Sequence, residues 1–168
     1  MKIGILGGSF DPAHKGHLAI SKEARKRFKL EKIIWAITKK NPLKAESKTP
    51  ISKKIKDCKK IIGLNSFIKV KFYENIIKSN KTIDLINYLK KDKNIEIFFI
   101  MGADNLISFH KWHKSKLISQ KCNIIVFDRH GYKKNSLKSK TFKSLNNKTL
   151  TFVEFKKVNI SSSQLRKI

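Results

Sequence analysis

The sequence predicts an α/β fold: one domain built on an open parallel sheet with helices on both faces. Three observations lead there. Short runs rich in Ile, Val and Phe alternate with segments whose apolar residues recur at helical spacing. That is the pattern of strand–helix–strand units with right-handed crossovers. The run 95–101 is nearly all apolar, as expected of a central parallel strand covered on both sides. The chain also opens on an apolar run that breaks at Gly7-Gly8 and passes toward a helical pattern.

Residues 3–6 read as a first, buried strand. Residues 15–28 place Leu18, Ala19, Ala24 and Phe28 at helical spacing, and 32–37 form a second strand around Ile33, Ile34 and Trp35. Residues 38–44, with Asn41-Pro42, read as a loop. Thr49-Pro50 reads as a helix start, Thr49 as N-cap and Pro50 in the first helical position. Ile51, Ile55, Cys58 and Ile62 make that helix's inner stripe. A third strand is expected over 67–72. Thr82 is a candidate cap for a helix carrying Ile83, Leu85, Ile86 and Leu89. After strand 95–101 comes Gly102-Ala103-Asp104-Asn105, then a short helical stretch with Trp112 near its end. A fifth strand spans 123–127. The lysine-rich, polar stretch 133–148 reads as a mobile surface loop. The last strand is 150–155, and Ser161-Ser162-Ser163 open a final helix. The arrangement is Rossmann-like. In such sheets ligands bind beyond the carboxyl ends of the strands, where strand order reverses. Loops 7–17, 41–44 and 102–112 are expected at that edge.

The 168 residues suffice for a substantial core. Cys58 and Cys122 stand in no metal or redox spacing and are read as reduced thiols of a cytoplasmic protein. There is no signal-peptide pattern, and no apolar run approaches the ~18 residues of a membrane span, so no membrane attachment is expected. The net charge of +27 is nearly all lysine, spread along a chain that is also rich in Ile and Asn. Without a basic block or interleaved aromatics, it is read as compositional drift and not as a nucleic-acid footprint. Such a field still attracts polyanionic small molecules, nucleotides included.

The stretch 7–17 is Gly-Gly-Ser-Phe-Asp-Pro-Ala-His-Lys-Gly-His. Glycines permit close backbone approach, and a helix N-terminus offers unpaired N–H groups at a positive dipole end, which together make a phosphate site. Neither G-x-G-x-x-G nor G-x-x-x-x-G-K-[ST] is present. His14 and His17 lie one helical turn apart and can face one ligand. A zinc site would need a further ligand, and a nucleophile would need an oriented base; the sequence suggests neither, so no protein-bound metal is expected. Two imidazoles hydrogen-bonding phosphate oxygens is the favoured reading, against a helix start with incidental histidines. Asp11 is expected to fix the turn through backbone hydrogen bonds. At the other end, Ile160-Ser161-Ser162-Ser163-Gln164-Leu165-Arg166 is explained by capping alone. Paired with the first loop, it reads as a second anion site of hydroxyls, helix N–H groups and a guanidinium fork.

These motifs resemble those of the nucleotidyltransferases marked by an H-x-G-H loop and a C-terminal I-S-S-[ST]-x-x-R. Within them, the chain is similar to the nicotinate-nucleotide adenylyltransferases through GGSFDPAHKGH at 7–17, NPLK at 41–44, MGADN at 101–105 with FHKWH at 109–113, and ISSSQLR at 160–166. The resemblance spans essentially the whole chain, so 1–168 is expected to be one nucleotidyltransferase domain. It implies a step of NAD biosynthesis in which the 5′-phosphate of nicotinate mononucleotide attacks the α-phosphorus of ATP. Nicotinate adenine dinucleotide and pyrophosphate result, without a covalent enzyme intermediate. It implies catalytic roles for His14, His17 and Arg166, with His17 on the α-phosphate and His14 on the outer phosphates. Gly8, Ser9 and Phe10 would supply backbone contacts to ATP, Asp104 would lie near its ribose, and Ser162 with Arg166 would grip the leaving pyrophosphate. Lys44 would meet the mononucleotide phosphate, Thr82 the nicotinate pocket, and Trp112 would stack on the pyridine ring. Mg²⁺ is expected on the ATP phosphates, with few protein ligands.

Two departures stand out. The chain ends soon after Arg166, and lysines fill 45–60 where relatives often have an arginine. The rival readings are phosphopantetheine adenylyltransferase, a cytidylyltransferase, and a basic nucleic-acid-binding protein without catalysis. MGADN and FHKW argue against the first two, and the set of phosphate-binding residues argues against the third. The resemblance leaves monomer and homo-oligomer both open.

Overall fold

The computed structural model describes residues 1–39, 48–146 and 148–155. Among them, strands β1 (Lys2–Gly8), β2 (Lys32–Ile37), β3 (Ile68–Lys71), β4 (Glu96–Gly102), β5 (Asn123–Phe127) and β6 (Leu150–Val153) form one sheet. Its order is β3-β2-β1-β4-β5-β6, and every neighbouring pair is parallel. The order reverses between β1 and β4. Leu6 stands opposite Ile100, which brings Gly8 and Gly102 level at the carboxyl edge, the place such sheets reserve for ligands.

The period-two alternation of each strand feeds two cores. Ile33, Trp35, Phe98, Ile100, Ile125 and Phe127 face one side, under α1 (Lys15–Phe28) and α2 (Ile51–Ile62). Ile5, Ile34, Phe99, Met101, Ile124 and Val126 face the other. That side is covered by α4 (Thr82–Leu89), α5 (Ala103–Ser108), α6 (Ser115–Lys121) and α8 (Lys140–Leu145). The expected open parallel sheet with helices on both faces is what forms. The described residues also include two short helices, α3 (Glu74–Ile77) and α7 (Lys133–Leu137), and a 3-10 turn at Phe109–Lys111.

Several local expectations are corrected. Residues 133–148 are not a loop, since α7 and α8 lie there. Ser139 caps α8 by accepting from the Phe142 N–H at 3.1 Å, and Phe142 and Leu145 pack on the core. A lysine-rich surface hid a few apolar anchors. Helix α6 was not foreseen, although it buries Ile118. Thr49 does not cap α2. Its hydroxyl donates to Asp11 Oδ1 at 2.6 Å, so a tertiary tie replaces the local one, and Pro50 flanks the helix. In α2 Lys54 is buried alongside Cys58 and Ile62, and its Nζ donates to the Thr38 carbonyl at 3.3 Å. Thr82 is the first helical residue of α4, and Lys81 occupies the cap position.

Cys58 and Cys122 are free and buried, and burial pushes both thiols up to about 12, which leaves them unreactive. Among the described residues no helix is long and apolar enough to cross a membrane.

Candidate active site

The first loop is built differently from a glycine turn. Gly7 and Gly8 are the last residues of β1, and the left-handed position falls on Phe10, at φ 48°. A non-glycine residue there costs about 1–2 kcal/mol. Burying a phenylalanine ring contributes about 1.5–3 kcal/mol, enough to offset it, and Phe10 is only 2% exposed. Its ring stacks on Trp35 at 5.1 Å and lies 4.6 Å from the His17 ring. Among the described residues, the nearest atom beyond its chain neighbours to a Cβ on Gly7 or Gly8 lies 3.5 Å away, an ordinary contact. Packing against the described residues therefore does not require glycine at either position.

His14 and His17 cap α1 reciprocally. His14 Nδ1 accepts from the Gly16 N–H at 3.0 Å, and His17 Nδ1 accepts from the His14 N–H at 3.1 Å. The two rings are 3.9 Å apart. An Nδ1 that accepts a hydrogen bond cannot carry the proton, so each neutral ring holds it on Nε2. Burial, followed by the nearby Arg129 charge, lowers the His14 pKa to about 4. Burial, then His14 and Arg129, lowers His17 to about 3. At neutral pH both imidazoles are uncharged Nε2–H donors beside a helix N-terminus, a pair suited to anionic oxygens. The cap uses Nδ1 of each ring and leaves Nε2 out of it.

Asp104 enters from the other face of the sheet, in the first turn of α5. Its Oδ2 accepts from Arg129 Nη1 at 2.8 Å, while Oδ1 is buried without a hydrogen-bond partner. Gly102 makes this geometry possible, because a Cβ there would lie 2.6 Å from Asp104 Oδ1. Arg129, just beyond β5, depresses both histidine pKa values, so its charge spans the switch point. Sequence reasoning missed Arg129. The available signal was an arginine directly after a strand, in a chain whose basic residues are nearly all lysine.

The structure therefore brings together Phe10, His14, His17, Asp104 and Arg129. Gly8 and Ser9 lie at the root of the same loop. Asp11 also holds its loop to Thr49 by a side-chain hydrogen bond. Trp112 is half-buried, 5.2 Å from the Phe109 ring and edge-on to Phe99 at 5.9 Å. It and Thr82 sit with the second core and are not drawn into the histidine cluster by these contacts. Lys44, Ser162 and Arg166 lie outside the described residues, as do the motifs at 41–44 and 160–166. Among the described residues no group of three or more side chains converges to hold a metal ion.

A parallel sheet with paired neutral imidazoles at its switch point defines an α/β protein equipped to hold phosphates. The family model described as cytidylyltransferase-like matches residues 5–168. A Pelagibacter ubique (strain HTCC1062) protein named "Probable nicotinate-nucleotide adenylyltransferase" is 69% identical over 167 residues, covering 99% of this chain and 93% of its own. A Bradyrhizobium sp. (strain ORS 278) protein of the same name is 37% identical over 130 residues, covering 77% of this chain and 68% of its own. In fold, the chain is similar to Plasmodium falciparum nicotinic acid mononucleotide adenylyltransferase complexed with NaAD, with a TM-score of 0.81 and 23% identity over 99% of this chain and 82% of that one. The chain belongs to the cytidylyltransferase-like family and, within it, to the nicotinate-nucleotide adenylyltransferases.

Proposed function

We propose that the chain transfers the adenylyl group of ATP to nicotinate mononucleotide, giving nicotinate adenine dinucleotide and pyrophosphate in NAD biosynthesis, with 1–168 acting as one nucleotidyltransferase domain in the cytoplasm. The observation that carries the chemistry is the reciprocal histidine cap, which aims two neutral Nε2–H donors from one helix start. The acceptor is inferred from the near-full-length relative at 69% identity.

An oxygen of the mononucleotide 5′-phosphate attacks the α-phosphorus in line. The new P–O bond forms as the bond to the bridging oxygen breaks, and pyrophosphate leaves with that oxygen and its electron pair. Such a transfer needs positioning and charge stabilisation, with no protein nucleophile. His17 donates to a non-bridging α-phosphate oxygen as charge accumulates there, without surrendering its proton. His14 donates to the outer phosphates. Gly7 and Gly8 lack side chains where the protein would tolerate them, which leaves room for polyphosphate beside the backbone of Gly8, Ser9 and Phe10. The Asp104 carboxylate, whose side chain is partly exposed, accepts from a ribose hydroxyl, and Arg129 holds it in place. The exposed part of Trp112 stacks on the pyridine ring, and Thr82 with the first turn of α4 receives the nicotinate carboxylate. By motif, Lys44 meets the mononucleotide phosphate, and Ser162 and Arg166 grip the leaving pyrophosphate. Mg²⁺ arrives with ATP as part of the substrate.

The test is pyrophosphate release from ATP with nicotinate mononucleotide, nicotinamide mononucleotide or phosphopantetheine as acceptor. Turnover is expected with the first and slower turnover with the second. Turnover with phosphopantetheine alone would overturn the assignment, and equal rates with both mononucleotides would remove the carboxylate preference. Salt-sensitive duplex binding without any turnover would favour the nucleic-acid reading.

A further inference from the structure

We propose that Trp35 and Ser21 are positioning residues for His17, tying the start of α1 to the central sheet so that the His17 Nε2–H is held on the reacting phosphorus. The inference rests on the reading of His17 as a phosphate donor.

Trp35 lies in β2 and Ser21 in the second turn of α1, and both are fully buried. The Trp35 indole Nε1–H donates to Ser21 Oγ at 2.8 Å, and the Ser21 hydroxyl donates to the His17 carbonyl at 2.8 Å. A hydroxyl that accepts and donates at once polarises both bonds, so the chain is stronger than its parts. The indole also anchors the ring of His17. It stacks on Phe10 at 5.1 Å with the planes 18° apart, Phe10 lies 4.6 Å from His17, and the indole itself is 5.7 Å from His17. One side chain of the rigid sheet thus holds His17 twice, by its backbone through Ser21 and by its ring through Phe10.

Packing alone does not call for this arrangement. A phenylalanine at position 35 would fill the core without bringing an N–H that must be satisfied. The tie has a purpose at this helix start. The first turn of α1 has no acidic residue to favour it electrostatically, and its cap is made by the two ligand-facing histidines themselves. First turns fray readily, and a donor displaced by about 1 Å can cost about 100-fold in rate. A link to β2 supplies the rigidity that the histidines cannot give each other.

The experiment compares Ser21→Ala, Trp35→Phe and the double variant with wild type. Trp35→Phe keeps a ring on Phe10 and removes the donor, while Ser21→Ala removes the relay. Ser21→Ala is expected to lower kcat about ten-fold or more, with the KM for ATP nearly unchanged. Trp35→Phe should lower it in the same sense. The double variant should be no worse than Ser21→Ala, since both act through one chain. Ring ¹⁵N spectra of the histidines should show a single Nε2–H tautomer in wild type and exchange broadening at His17 in the variants. Leu30→Ala, a deletion in the same core, is the stability control and should retain wild-type kcat at a temperature where it is folded. Wild-type kcat in both single variants, an unchanged histidine spectrum, or a loss that Leu30→Ala reproduces would each overturn the proposal. The ratios are taken on whichever acceptor wild type turns over, so a wrong acceptor leaves the test intact. If wild type shows no nucleotidyl transfer at all, the functional reading fails separately, and the spectrum still reports on the tie.

Discussion

Acidification strikes the histidine cap directly. In the unfolded chain both rings titrate near 6.5, whereas in the folded protein His14 is lowered to about 4 and His17 to about 3. Above pH 6.5 both states are neutral at these rings and the pair has no effect on stability. As pH falls below 6.5 the unfolded chain takes up protons that the folded protein refuses, so stability is lost. The loss levels off only below the folded values. The well-buried His17 contributes about 1.4 kcal/mol per pH unit in that window, or about 2 kcal/mol between pH 7 and pH 5; the partly exposed His14, screened by solvent, contributes about 1 kcal/mol, and the pair about 3 kcal/mol. The assay is urea unfolding at pH 7, 6 and 5 for wild type and for His14→Gln/His17→Gln, whose amide oxygens can still accept the cap bonds. Groups common to both proteins cancel in the comparison. Wild type should lose about 3 kcal/mol more than the double variant, and the two ring signals should stay flat by NMR from pH 7.5 to 5. Parallel pH dependences of the two proteins, or a folded-state ring titrating near 6.5, would refute the cap and the fixed tautomer together.

Other substitutions separate the roles at the site. His17→Ala should lower kcat by about 10²–10³-fold while largely sparing ATP binding, and a fully active variant would remove His17 from the transition state. Gly102→Ala places a Cβ 2.6 Å from Asp104 Oδ1, so the carboxylate must move. The KM for ATP should rise about ten-fold with little change in melting temperature, and an unchanged KM would detach Asp104 from ATP. Trp112→Ala should raise the KM for nicotinate mononucleotide and spare that for ATP. It should also cost about 1–3 kcal/mol of stability, because part of the ring packs on Phe99 and Phe109; a stability loss alone would assign the residue to packing.

The sheet was legible because its cause is local. A strand buried on both faces must be apolar throughout, and Ile97–Met101 is. Loops 7–17 and 102–112 were placed at one edge because parallel strands all end there. What escaped was tertiary. The pattern Gly7-Gly8 suggested the turn, yet the left-handed residue is Phe10, which tolerates it only because a pocket formed by Trp35 and His17 receives its ring. Thr49 had the composition of a cap but spends its hydroxyl on Asp11, far away in sequence. Lysines conceal α8, whose few anchors a polarity count does not register. Arg129 belongs to no motif, and its importance exists only once β4 and β5 lie side by side and Asp104 comes within reach.

The two halves of the site divide the work by charge. Because α1 and α5 leave β1 and β4 for opposite faces, each half is anchored in its own core and neither must fold onto the other. A net charge of +27 already draws polyphosphate toward the protein from any direction. Charged imidazoles would add to that attraction in the ground state as much as in the transition state, and uniform binding does not speed the chemical step. A neutral, oriented Nε2–H gains most where charge grows during the reaction. Arg129 beside Asp104 then has a double consequence. It fixes the Asp104 carboxylate, and its positive field adds to burial in keeping both imidazoles unprotonated. On the proposed mechanism the lysine-rich surface and the neutral histidines are therefore complementary: one would concentrate the substrate, and the other would discriminate between bound substrate and transition state.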